Sequence, residues 1–234
     1  MPDLRPPRVT RSLVFIQWLM GLGAHLFIVL PYLRRVHNLE RLQAGRRWLI
    51  VCNHVSLIDT ILLGAICWRA GCYPILVLGD RKVWHASWLK KMLSTPIGFL
   101  LERGRLNPNR ITELEAFGRA GRERTLIVFP EGTRGDGVHV GPCQPGLHYI
   151  AQAAQMPIVP LFIENMQLVS TKLGRYHPFR GLRKVEVHVG EPITPEKYLA
   201  LSRDEFSEFI RHSISGSPAP MPAAVDLSPV LPSA

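Results

Sequence analysis

Cysteine is scarce in this sequence. Four occur (Cys52, Cys67, Cys72 and Cys143), and no two form a C-x-x-C pair. This speaks against a disulfide framework and fits a reducing compartment, with Cys52 and Cys67 read as small core residues. Acidic side chains are also in short supply: 18 Asp and Glu face 28 Lys and Arg, for a formal charge of +10. Zinc-finger spacing, an RNA-binding aromatic signature and a Lys/Arg block are all missing, so nucleic acid is not the expected partner of that charge. There is only one long apolar run, which excludes a polytopic membrane protein. Yet 47% of residues are hydrophobic, too many for a disordered chain. The 234 residues suffice for one ordinary domain with a small appendage.

The basic excess is unevenly placed. Residues 1–50 carry eight Arg against Asp3 and Glu40. These arginines bracket residues 12–33, which are 22 consecutive uncharged residues. As a helix this run would extend about 33 Å, enough to cross hydrocarbon. Gln17, Gly21, Gly23, His25 and Pro31 interrupt its apolarity. A spanning helix, a broken re-entrant pair and a monotopic anchor all fit. No small-x-small site precedes Arg34, which speaks against a cleaved signal peptide. Basic residues on both flanks leave the positive-inside rule nearly silent and favour an element that enters and leaves on one face. Positive charge beside apolar surface suits anionic lipid.

Beyond residue 44 the pattern becomes short apolar runs alternating with amphipathic stretches. Strands are expected at Trp48–Cys52, Ile75–Leu78, Ile97–Leu101, Leu126–Phe129, Ile158–Ile163 and Val185–Val189. Helices are expected near 57–69, 85–94, 108–122, 146–154 and 203–213. The fold class is therefore α/β: a mixed, largely parallel sheet flanked by helices, with an N-terminal membrane-associated helical segment. The expected division is an anchor over 1–44, a catalytic domain over 45–212 and a disordered Pro-rich tail over 213–234.

Four segments at or within these strands carry candidate chemistry. Asn53-His54-Val55-Ser56-Leu57-Ile58-Asp59 follows the first strand and offers a base with a carboxylate to orient it. Ser56-x-x-Asp59 is equally a helix capping box, and a capped helix start is a rigid mount for such a carboxylate. Phe129-Pro130-Glu131-Gly132-Thr133-Arg134-Gly135 follows another strand. There Thr133 and Arg134 suit a phosphate, Glu131 suits a hydroxyl, and Gly132 allows close approach. Gly98–Arg103 ends a strand in charge, and Arg103 suits bidentate phosphate binding. Met156–Leu161 contains two prolines, which disfavour an interior ladder position and point to an edge strand or irregular wall.

In order and context these segments resemble the glycerolipid acyltransferase family, within it the 1-acylglycerol-3-phosphate O-acyltransferases. NHVSLID matches the H-x-x-x-x-D motif, GFLLER the second motif, FPEGTRG the third and PIVPL the fourth, over about residues 45–195. The resemblance implies that His54 is the general base and Asp59 its orienter. It implies that Arg103, Glu131, Gly132, Thr133 and Arg134 hold the glycerol phosphate of a lysophospholipid acceptor. It implies acyl-CoA or acyl carrier protein as co-substrate, no metal or other cofactor, no covalent acyl-enzyme, and phosphatidic acid as product in phospholipid biosynthesis. The expected location is a membrane, with the active site on the cytoplasmic face (the inner membrane in a bacterium).

One departure stands out. Many relatives carry a Lys shortly before the Gly that opens the helix after the third motif, whereas Pro142-Cys143-Gln144-Pro145-Gly146 has none. Another lysolipid or an ornithine-lipid precursor is then an alternative acceptor, and a non-catalytic lipid-binding protein a rival from another class. The basic segment Arg175–Lys184 is available to replace that charge, to bind coenzyme A phosphates, or simply to be solvated. Trp84–Leu93 reads either as an interfacial helix or as an ordinary helix packed on the sheet.

Overall fold

A computed structural model describes residues 10–86, 88–101, 108–119 and 125–216. Their strands are β1 (Leu33–His37), β2 (Leu49–Cys52), β3 (Ile75–Asp80), β4 (Gly98–Leu101), β5 (Thr125–Val128), β6 (Ile158–Glu164) and β7 (Val185–Val189). They form one sheet in the order β1-β7-β6-β2-β5-β3-β4. Every pairing is parallel except β6 with β7. The helices are α1 (Arg11–Tyr32), α2 (Leu57–Arg69), α3 (Arg81–Trp84), α4 (Trp88–Ser94), α5 (Pro108–Arg119), α6 (Gly146–Ala154), α7 (Pro195–Tyr198) and α8 (Arg203–Ser215). The α/β class with a mixed, mostly parallel sheet is as the alternation of elements predicts.

The two central strands β2 and β5 are buried on both faces, which matches their unbroken apolar runs LIVC and TLIV. One apolar cluster lies on the α1 and α2 side of the sheet and includes Leu63, Ile66, Val77 and Ile127. The other lies under α5, α6 and α8 and includes Leu114, Ile150, Phe206 and Ile210. Helix α8 starts on a full capping box, with Ser202 and Glu205 exchanging bonds, and stops at Gly216 in the left-handed region. It therefore runs two residues beyond its expected end. The remainder of the expected tail lies outside the described residues.

Three elements differ from the sequence expectation. Leu33–His37 is a strand, although LRRVH reads as the charged flank of the apolar run. It pairs in parallel with β7, and the helix-to-strand change falls at Leu33, after Pro31. The proline-bearing β6 is interior, between β7 and β2, not an edge. Pro160 is tolerated because its carbonyl still accepts from Gly190 N at 2.8 Å. Its ring fills the space a side chain at Gly190 would need, since a Cβ there would lie 2.7 Å from Pro160 Cγ. The expected helix 85–94 is shorter, as α4 begins at Trp88, and the four-residue α3 precedes it.

Helix α1 packs along α2. Its buried stripe is Leu13, Gln17 and Gly21, a four-residue spacing that presents one face. Gln17 Nε2 donates to Ile75 O at 3.0 Å and Pro96 O at 2.8 Å, while its Oε1 accepts from Ile75 N at 2.8 Å. Gly21 lies against Trp68, where a Cβ would come within 2.5 Å of the ring. The opposite face is apolar too: Phe15, Ile16, Leu19, Leu26 and Phe27 are all exposed. Among the described residues, Arg11–Tyr32 is the single helix long and apolar enough to cross a membrane.

Candidate active site

Three neighbouring parallel strands, β2, β5 and β3, end on the same side, and the candidate residues follow their carboxyl ends. His54 comes two residues after β2. Asp59 lies in the first turn of α2, whose start is fixed by Ser56 as N-cap and by the capping box it forms with Asp59. Asp59 is fully buried. Its Oδ2 accepts from Val55 N at 2.6 Å, Ser56 N at 2.8 Å and His54 Nδ1 at 2.8 Å. Capping and orienting are thus performed by one carboxylate oxygen. With Nδ1 donating to a carboxylate, Nε2 is the ring atom left to accept a proton. The imidazole is held on its face by Phe129, with ring centroids 4.1 Å apart and an interplanar angle of 23°.

The turn after β5 grips the His54 peptide from both sides. Glu131 Oε1 accepts from His54 N at 3.0 Å, and Gly135 N donates to His54 O at 2.6 Å. Glu131 Oε2 accepts from Gly141 N at 3.2 Å. Burial pushes the Glu131 carboxyl above its ordinary range, opposed by the His54 and Gly141 amides. Glu131 is almost fully buried, so in this structure its two oxygens serve backbone amides. Gly132 sits at φ +62°, and a Cβ there would lie 2.8 Å from Gln144 Cγ, so the turn requires glycine.

A cavity of about 880 Å³ opens beside His54. Gly132, Thr133 and Arg134 line it together with His54, Phe129 and Gln144. Arg134 Nη1 also donates to Lys172 O at 3.1 Å, tying the third motif to the 170s loop. Arg103 lies outside the described residues. Three further polar lining residues escape motif reading, Asp80, Tyr149 and Lys172, and Trp84, the first residue of the Trp84–Leu93 segment, lines the cavity too. Asp80 Oδ1 caps α3 through Lys82 N at 2.8 Å. Lys172 stands just before the basic segment Arg175–Lys184, and that proximity is the only trace it leaves in the sequence. The remaining wall is mostly apolar, with Leu57, Leu78, Val83, Leu147 and Ile150. Such a cavity can take an acyl chain, hold a phosphate near Thr133, Arg134 and Lys172, and present a hydroxyl to His54.

Among the described residues one group, His37, Glu186 and His188, has metal-ligating atoms within 4.8 Å of one another. It lies on β1 and β7, and none of the three lines the cavity. Glu186 is shared by Arg34 at 3.0 Å and His37 at 2.6 Å, and His188 pairs with Glu164 at 3.1 Å.

An acyltransferase family model matches residues 33–164. The chain is 29% identical over 170 residues to the 1-acyl-sn-glycerol-3-phosphate acyltransferase of Saccharomyces cerevisiae, covering 71% of this chain and 52% of that protein. It therefore spans about half that relative's length. It is 30% identical over 188 residues to the Helicobacter pylori protein of the same name, covering 75% and 74% respectively. A more distant match, 25% over 155 residues, is the lyso-ornithine lipid O-acyltransferase of Brucella abortus, covering 63% and 55%. The crystal structure of the 1-acyl-sn-glycerophosphate acyltransferase of Thermotoga maritima superposes with a TM-score of 0.61 at 19% identity, covering 87% of this chain and 77% of that one. A sheet whose strand ends assemble His54 on Asp59 inside a matched domain beginning at β1 places this chain in the acyltransferase family.

Proposed function

We propose that this protein transfers a fatty acyl chain from acyl-CoA or acyl carrier protein to the free hydroxyl of 1-acylglycerol-3-phosphate, giving phosphatidic acid at a membrane surface. The observation that carries this reading is the His54–Asp59 pair, buried behind and open in front, on a cavity that also displays Thr133, Arg134 and Lys172. His54 Nε2 takes the hydroxyl proton as the oxygen attacks the thioester carbonyl. The resulting imidazolium is held by Asp59. Collapse of the tetrahedral intermediate breaks the C–S bond, and the departing thiolate receives the proton from Nε2. The Arg103 guanidinium, which the sequence puts after β4, is assigned to the acceptor phosphate. Glu131 serves that site by fixing the His54 backbone.

The outer face of α1 supports a membrane location, because a water-facing helix would not expose Phe15, Ile16, Leu19 and Phe27 together. So do Trp88 and Met92 on α4, which are 76% and 55% exposed. The cytoplasmic face is assigned by the donor, since acyl-CoA and acyl carrier protein are cytoplasmic thioesters. A second acceptor class is favoured by one observation: Asp80 puts a carboxylate on the cavity wall, which suits a cationic headgroup such as that of a lyso-ornithine lipid.

The test incubates purified protein with labelled acyl-CoA, then acyl carrier protein, and a panel of lysolipids, with products identified by mass. Phosphatidic acid formed from lysophosphatidic acid is the expected result. Acylated ornithine lipid alone would move the assignment to the second class, and no product from any acceptor would overturn it.

A further inference from the structure

A second cavity, of about 860 Å³, shares no lining residue with the first. It runs between α1, the last turn of α2 and β1, the strand at one edge of the sheet. Four arginines line it, Arg34, Arg35, Arg69 and Arg183, and no carboxylate does. Apart from His25, the rest of its wall is apolar, chiefly Val29, Leu30, Leu33 and Trp68.

Two of these arginines have structural partners. Arg34 pairs with Glu186, and Arg183 closes the end of α1 by donating from its backbone N to Pro31 O at 2.9 Å and from Nη1 to Leu30 O at 3.2 Å. Arg35 and Arg69 are exposed, and both reach the cavity. A different feature points at the same place. Helix α1 widens into a π turn over His25–Val29, a distortion often found at functional sites. That turn puts His25 on the cavity wall, where its Nδ1 is buried with no hydrogen-bond partner among the described residues.

We propose that this groove binds one anionic phospholipid of the surrounding bilayer. Its phosphate sits against Arg35 and Arg69, and its acyl chain runs along Val29, Leu30 and Leu33 towards the exposed face of α1. Basic pockets beside membrane helices have the charge and depth for such head groups. The site is an accessory one, since neither His54 nor the third motif reaches it. The inference rests on the membrane reading of α1, not on the identity of the acyl acceptor.

The experiment measures thermal unfolding of the full chain in a neutral detergent. Additions are dioleoyl phosphatidylglycerol, dioleoyl phosphatidylcholine or inorganic phosphate. The expected result is a rise of about 3–6 °C with phosphatidylglycerol at roughly ten times its Kd, and none with the other two. The R35Q/R69Q variant, with its fold checked by circular dichroism, should lose that rise and keep acyl transfer to detergent-dispersed lysolipid. Retention of phosphatidylglycerol over phosphatidylcholine by the unmutated protein in native mass spectrometry gives a reading that needs no variant. An equal rise with phosphatidylcholine overturns the inference. So does a rise with phosphate alone, or an unchanged phosphatidylglycerol response in R35Q/R69Q. Acyl transfer assayed on the same samples reports separately on the proposed function.

Discussion

Asp59 Oδ2 collects three N–H donors, so an amide in its place gives up the charge that faces them in either orientation, and with its nitrogen in that position it also opposes three donors with a fourth. Asp59→Asn is expected to lower kcat by about 10²–10⁴-fold, because the imidazole loses both its fixed tautomer and its counter-charge. A single-turnover assay with thermal melting separates this from unfolding. His54→Ala should abolish transfer while leaving the melting curve near wild type, since the ring is partly exposed and makes no backbone bond. Glu131→Gln offers one acceptor oxygen where His54 N and Gly141 N need two. It should cost about 1–3 kcal/mol of stability and reduce kcat more than it raises KM, as read from denaturant melts and steady-state kinetics. Of these residues, His54 and Asp59 are legible in sequence because they lie five positions apart and the Ser56–Asp59 capping box falls within that span. The Glu131 clamp is not, because its partner amide is 77 positions away and no local pattern encodes that distance.

Helix α1 is held to the domain by polar groups that look like blemishes in an apolar run. Gln17 closes off the exposed start of β3 and the Pro96 carbonyl, so Gln17→Leu, although more apolar, leaves Ile75 N, Ile75 O and Pro96 O unpaired. The expected outcome is a loss of about 1–3 kcal/mol, measured by thermal unfolding in detergent. Gly21→Ala should destabilise by a similar amount, since its methyl would collide with Trp68. Reading these as interruptions of hydropathy was as far as the sequence alone could go, since their partners lie on β3 and α2. The same limit hid β1. Its residues LRRVH have no strand alternation of their own, and their pairing comes from β7, about 150 residues later. The central strands, the helices Leu57–Arg69 and Gly146–Ala154, and the α/β class were visible because burial of both strand faces and local end signals leave continuous apolar runs and boundaries in the chain.

The whole molecule carries its positive charge and its apolar surface on related elements. Arginines flank α1, and the segment from Lys172 to Lys184 alternates exposed Leu173, Phe179 and Leu182 with Arg175, Arg180 and Arg183. This loop is tied to the end of α1 through Tyr32 and Tyr176 and to the third motif through Arg134. If association were electrostatic alone, 1 M salt would release the protein from membranes, because screening at that strength shortens the Debye length to about 3 Å. Retention through a salt wash, with release by detergent, is the expected extraction pattern, since the apolar face of α1 is not screened. The paired grip of Glu131 and Gly135 on the His54 peptide has a consequence for protein engineering. The base and its carboxylate are not a portable cassette. Moved onto another sheet without the turn at 129–135, the His54 peptide would have neither partner to set its position, so the smallest transplantable unit is two strand ends and the glycine-containing turn that joins them.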